Sequence, residues 1–103
     1  MTNTNHSWTA LGDPTRRTIF ELLAEHPRSV TDVARVLPVT RSAVSQHLKV
    51  LKKAKLVADT PAGKQRIYHV EREGLAALRN ELDRFWMKTL AAYKQAVEQP
   101  PKE

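Results

Sequence analysis

The chain has 103 residues, 17 lysines and arginines against 11 acids, a formal net charge of +6 and no cysteine. That length fits one small domain, and a 41% hydrophobic, 27% charged composition is globular, so neither a two-domain enzyme nor wholesale disorder is expected. Without cysteine there are no disulfides, thiolate metal ligands or cysteine nucleophiles, while the basic balance favours a polyanionic partner, nucleic acid or anionic lipid.

Along the chain, Trp8-Thr-Ala-Leu11 predicts a short helix at about 7–11, ended by Gly12. Asp13-Pro14 restarts a helix, an N-cap side chain followed by proline at the first helical position. It runs to about Glu25 with Ile19, Phe20, Leu22 and Leu23 on its apolar stripe, and His26-Pro27 stops it. Ser29-Val-Thr-Asp32 has capping-box spacing and opens a helix carrying Val33, Val36 and Leu37, which Pro38 ends. Thr40 caps the next helix, Arg41 to about Ala54, so that 30–54 reads as a helix-turn-helix. Residues 56–60 and 65–70 are short, β-branched and aromatic. Pro61-Ala-Gly-Lys64 between them marks a turn, so 56–70 predicts a two-stranded hairpin. Helical spacing returns from about 72 to 97 through Leu75, Leu78, Leu82, Phe85, Trp86, Leu90, Tyr93 and Val97. The tail, 98–103, is expected to be disordered. The order is α-α-α-α-β-β-α: one domain over 1–103, mainly α with a small β-hairpin, a winged helix-turn-helix.

The charge is not spread evenly. Between Arg41 and Arg66 lie seven bases (Arg41, Lys49, Lys52, Lys53, Lys55, Lys64 and Arg66) and one acid, Asp59, so this window holds +6 and the remainder is balanced. Such concentration marks an electrostatic footprint. On a helical wheel Val44, Leu48 and Leu51 gather on one side, to face the core. Ser42, Gln46, Lys49 and Lys53 gather opposite, with Ser45 at their edge. That face, with Thr40 at its start counted among the DNA-binding positions, suits a helix entering the major groove by its N-terminal half. Gln46 pairs with adenine, Ser42 and Ser45 reach base edges or phosphates, and Arg41 reads guanine or clamps a phosphate. Lys49, Lys52 and Lys53 then follow the backbone. Lys64 and Arg66 flank the hairpin tip, where a wing enters the neighbouring minor groove, with strand alternation deciding which way Arg66 turns.

The segments Trp8-Thr-Ala-Leu-Gly-Asp-Pro-Thr-Arg-Arg17, Arg41-Ser-Ala-Val-Ser-Gln-His-Leu-Lys-Val-Leu51 and Ala54-Lys-Leu-Val57 resemble the ArsR family of bacterial repressors over about 8–97. Gly63, Lys64, Arg66 and Tyr68 resemble its wing. The resemblance implies a homodimeric transcriptional repressor that occludes a promoter, with base-reading positions at Ser42, Ser45 and Gln46. Many relatives sense metals through a Cys-x-Cys pair or through ligands on the last helix. Here there is no cysteine, and 72–99 holds no histidine. The four histidines, His6, His26, His47 and His69, fall in different elements, and His47 suits a hydrogen-bonded structural role. No metal sensing and no cofactor are expected.

Catalysis has no support: Ser45 and His47 point about 200° apart on their helix, and neither a glycine-rich phosphate loop nor an HExxH motif occurs. No apolar run approaches the roughly 18 residues of a membrane span. With no signal-like start either, the protein is expected in the cytoplasm. Trp8, Leu11, Leu78, Leu82, Phe85, Trp86, Leu90 and Tyr93 form the expected homodimer seam, on helices 7–11 and 72–97. Two-fold symmetry then sets two recognition helices roughly 34 Å apart, for a palindromic operator on double-stranded DNA. The competing reading is a winged-helix module that binds protein or RNA. Any small-molecule effector is left unspecified.

Overall fold

Side-chain caps start three helices, each by accepting a backbone N–H three residues on. In the computed structural model, which describes residues 6–98, the carboxylate of Asp13 accepts from Arg16 at 3.0 Å, Ser29 from Asp32 at 3.1 Å, and Thr40 from Ala43 at 3.0 Å. The elements run α1 (His6–Ala10), α2 (Pro14–Glu25), β1 (Arg28–Ser29), α3 (Val30–Val36), α4 (Arg41–Lys53), β2 (Val57–Ala62), β3 (Gln65–Val70) and α5 (Arg72–Glu98). This is the expected winged helix-turn-helix with one added strand. Of the tail expected at 98–103, Glu98 closes α5 and the rest lies outside the described residues.

The added strand corrects the two-stranded reading. The sheet order is β1-β3-β2, with Arg28 opposite Tyr68 and Ser29 opposite Ile67. Pro27 has already forced the chain out of helix, and Ser29 stays extended (φ −86°, ψ 168°) while capping α3. One buried serine thus ends a strand and begins a helix. The hairpin is tighter than the expected four-residue turn: β2 pairs through Pro61 and Ala62, leaving Gly63-Lys64 as a two-residue loop. Gly63 sits at φ +65°, where a β-carbon is disfavoured. Pro61 is tolerated because β2 is an edge strand.

The core draws on every helix. Ile19 and Leu23 of α2, Val33 of α3, and Val44, Leu48 and Leu51 of α4 are buried with Leu56, Val57, Ala10 and Leu78. Phe20, Leu22 and Leu37 pack at its margin, whereas Val36 is exposed. Full burial of each large aliphatic side chain contributes about 2 kcal/mol.

The junction after α4 fixes where the wing and α5 begin. The N–H of Lys55 donates to the carbonyl of Lys52 (2.9 Å) and that of Leu56 to Leu51 (3.0 Å), a Schellman closure with Lys55 left-handed at φ +65°. Buried Leu51 and Leu56 complete its apolar contact. The Glu71 N–H then donates to the Leu56 carbonyl at 2.8 Å, bringing α5 against the same turn. Contact is so close that a β-carbon at Gly74 would lie 1.7 Å from the Lys55 carbonyl oxygen. Beyond Leu78 the helix leaves the body, and the molecule measures 67 × 28 × 27 Å.

Candidate nucleic-acid interface

Burying Val44, Leu48 and Leu51 rolls the opposite side of α4 to the surface. Arg41, Ser42, Ser45, Gln46, Lys49 and Lys53 are all exposed there, and the exposed Thr40 uses its hydroxyl as the cap. Arg41, Ser42 and Ser45 line a groove whose far wall is Lys64, Gln65, Arg66 and Tyr68 of the hairpin and whose floor includes Ser29, Val30 and Thr31. The groove brings the first turns of α4 to the wing, whereas Gln46 and Lys49 lie on the helix surface outside it and the exposed Lys53 borders a separate cleft with Lys55, Glu71 and Glu73. Thr31, Gln65 and Tyr68 are groove residues that helical periodicity does not flag, because their approach depends on how α3 and β3 pack.

His47 is held from behind the recognition face. Arg16 donates from Nε to the Ala10 carbonyl (2.6 Å) and approaches His47 Nδ1 with Nη1 at 3.3 Å. A guanidinium only donates, so Nδ1 is the acceptor in this contact. One arginine therefore joins α1, α2 and the recognition helix.

The lone acid of the basic window has a place that its sequence count does not reveal. The Asp59 side chain is only 3% exposed, and its carboxylate accepts from Lys52 Nζ at 2.8 Å and from Arg66 Nε. Lys52, expected along the phosphates, thus has its ammonium on Asp59. Strand alternation turns Arg66 to the same side. The hydrogen bonds from Lys52 and then Arg66 hold the Asp59 carboxyl below its ordinary range, against the opposing effect of burial.

The seam residues divide. Leu78 is buried in its own protomer's core and Leu11 packs against that core, so both are committed within the chain. Leu82, Phe85, Trp86, Leu90 and Tyr93 are exposed, with Phe85 and Trp86 each at 60%. Trp8 meets Phe85 edge-on at 5.8 Å between ring centroids, linking α1 to α5. Met87 and Val97 extend the same apolar exposure. Among the described residues no three His, Asp or Glu side chains gather closely enough to hold a metal ion, and no helix is long and apolar enough to cross a membrane.

A helix-turn-helix with a β-wing and a basic, polar recognition face defines a DNA-binding transcriptional regulator. The chain belongs to the ArsR family: residues 13–59 match the profile for bacterial regulatory protein, arsR family. It is 55% identical over 94 residues to the HTH-type transcriptional regulator Rv2034 of Mycobacterium tuberculosis, covering 91% of this chain and 88% of that one. It is 35% identical over 65 residues to the transcriptional repressor SdpR of Bacillus subtilis, covering 63% and 71%. Among solved structures, an ArsR-like transcriptional regulator from Rhodococcus sp. RHA1 is 32% identical with a TM-score of 0.74, over 89% of this chain and 90% of that one.

Proposed function

We propose that this regulator is a repressor that binds a palindromic operator as a homodimer in the cytoplasm and blocks promoter access, without metal sensing. The observation that carries the reading is the joint exposure of Ser42, Ser45 and Gln46 on α4 beside a groove walled by Lys64 and Arg66. Gln46 and the serines meet base edges, Arg41 reads a guanine or holds a phosphate, and Lys49 and Lys53 track the backbone. Thr40 contributes by fixing the first turn of α4, and Lys64 carries the wing contact at the hairpin tip. The dimer forms through Leu82, Phe85, Trp86, Leu90 and Tyr93 of α5, with Trp8 packed on Phe85. The repressor named among its relatives supports the sign of regulation.

Binding to the promoter upstream of the protein's own gene, measured at two salt concentrations against random DNA, tests this. A repressor shows steep salt dependence and specificity on the order of a thousandfold. Equal affinity for random DNA rejects it. Unchanged operator affinity with stoichiometric Zn²⁺ or Ni²⁺ is expected, and a tenfold loss would restore a metal switch.

A further inference from the structure

We infer that Asp59 is the positioning residue of the DNA-binding surface, clamping the wing to the recognition helix and withholding Lys52 and Arg66 from the phosphates. The inference rests on the DNA-binding reading above and assigns a role to a residue outside the contact face.

The inner face of the wing changes character along its length. Val57 opposite Val70 packs on the core; next come Asp59 opposite Tyr68, then Pro61 opposite Arg66. Arg66 is therefore the diagonal cross-strand neighbour of Asp59, on the same face, within reach of a long side chain. Lys52 arrives from another element, the last turn of α4, and takes the second carboxylate oxygen. Hydrocarbon contact fixes the base of the wing, and this three-residue ion pair fixes its middle.

The two bases keep about half of their side-chain surface exposed, whereas the acid between them is enclosed. The clamp thus joins one strand of the wing to the other and both to the recognition helix. Those are the two elements that must enter adjacent grooves in a fixed relative pose. It also changes the charge available to DNA. Two of the seven bases in the window share one carboxylate, which leaves the trio at +1 with both cations held, and a cation that stays on a carboxylate releases no counterion from DNA.

The salt dependence of operator binding separates the variants. In the full-length protein, Lys53→Gln should lower the slope of log K against log salt by about 0.9 per protomer, the loss of one phosphate contact. Lys52→Gln, one residue away on the same helix, should leave the slope unchanged. Asp59→Asn should raise it by about 0.9 to 1.8 per protomer, as one or both cations reach phosphate. The operator-to-random affinity ratio should then fall on the order of tenfold, comparable to one mismatched base pair, because the wing pose is no longer fixed. Equal slope losses in Lys52→Gln and Lys53→Gln overturn the inference, as does an Asp59→Asn protein with wild-type slope and ratio. If Asp59→Asn does not fold, the Lys52 and Lys53 comparison decides alone. Absence of operator binding in the wild type would instead reject the functional reading itself.

Discussion

At the scale of single residues, two carboxylates are tuned by what they touch. The backbone N–H of Arg16 holds the Asp13 carboxyl below its ordinary range, and the Lys52 and Arg66 hydrogen bonds do the same for Asp59. A group with a depressed folded value contributes stability that is fully present above its unfolded value. That contribution is lost as pH falls through the folded value. These two aspartates should therefore leave stability flat from neutral pH down to about 5 and erode it below about 4. Thermal melting from neutral pH down through the ordinary aspartate value of about 3.9 should show a shallower acid limb in Asp59→Asn than in the wild type. An identical limb would mean that Asp59 carries no such linkage. The role of Asp59 was not legible in the sequence, where it counted only as one acid among seven bases. Its partners depend on hairpin register and on how β2 docks beneath α4.

At the scale of elements, the helix starts were legible and the third strand was not. Asp13, Ser29 and Thr40 each act on a backbone N–H three residues ahead, so the signal is local and survives without tertiary context. β1 is two residues long and exists only through its pairing with Tyr68 and Ile67, far away in the chain. No periodicity can be read from two residues. The Schellman turn after α4 was hidden for a different reason: its left-handed position holds Lys55, not the glycine that would announce it. A side chain there costs about 1 kcal/mol in backbone strain. Lys55→Gly should therefore raise stability by up to about 1 kcal/mol, which is at most roughly 4–8 °C in Tm for a domain of this size. Urea denaturation should show the gain as a higher midpoint at constant slope, and a lower midpoint would refute the strain argument.

At the scale of the whole molecule, the protomer is far from spherical. Its radius of gyration is 18.1 Å, against about 13 Å for a compact chain of similar length, because α5 projects from the body. The helical spacing of the apolar residues on α5 was legible in the sequence. Which of them the body itself would claim was not, since Leu78 turns inward by packing under the winged domain. Phe85, Trp86 and Tyr93 remain uncovered, an apolar surface that a second copy of α5 would bury. The double variant Leu82→Ala with Trp86→Ala should yield a folded monomer that has lost operator affinity, read by analytical ultracentrifugation beside a binding titration. A dimer that persists in that variant would place the seam elsewhere. The sheet also bears on how copies meet. One of its edges is a strand of two residues, and the other is interrupted by Pro61, which has no N–H to offer. Neither edge provides a long template for strand addition, even at high concentration. In the proposed dimer, copies would therefore meet away from open-ended β-stacking and on the helical face, where a two-fold contact closes on itself.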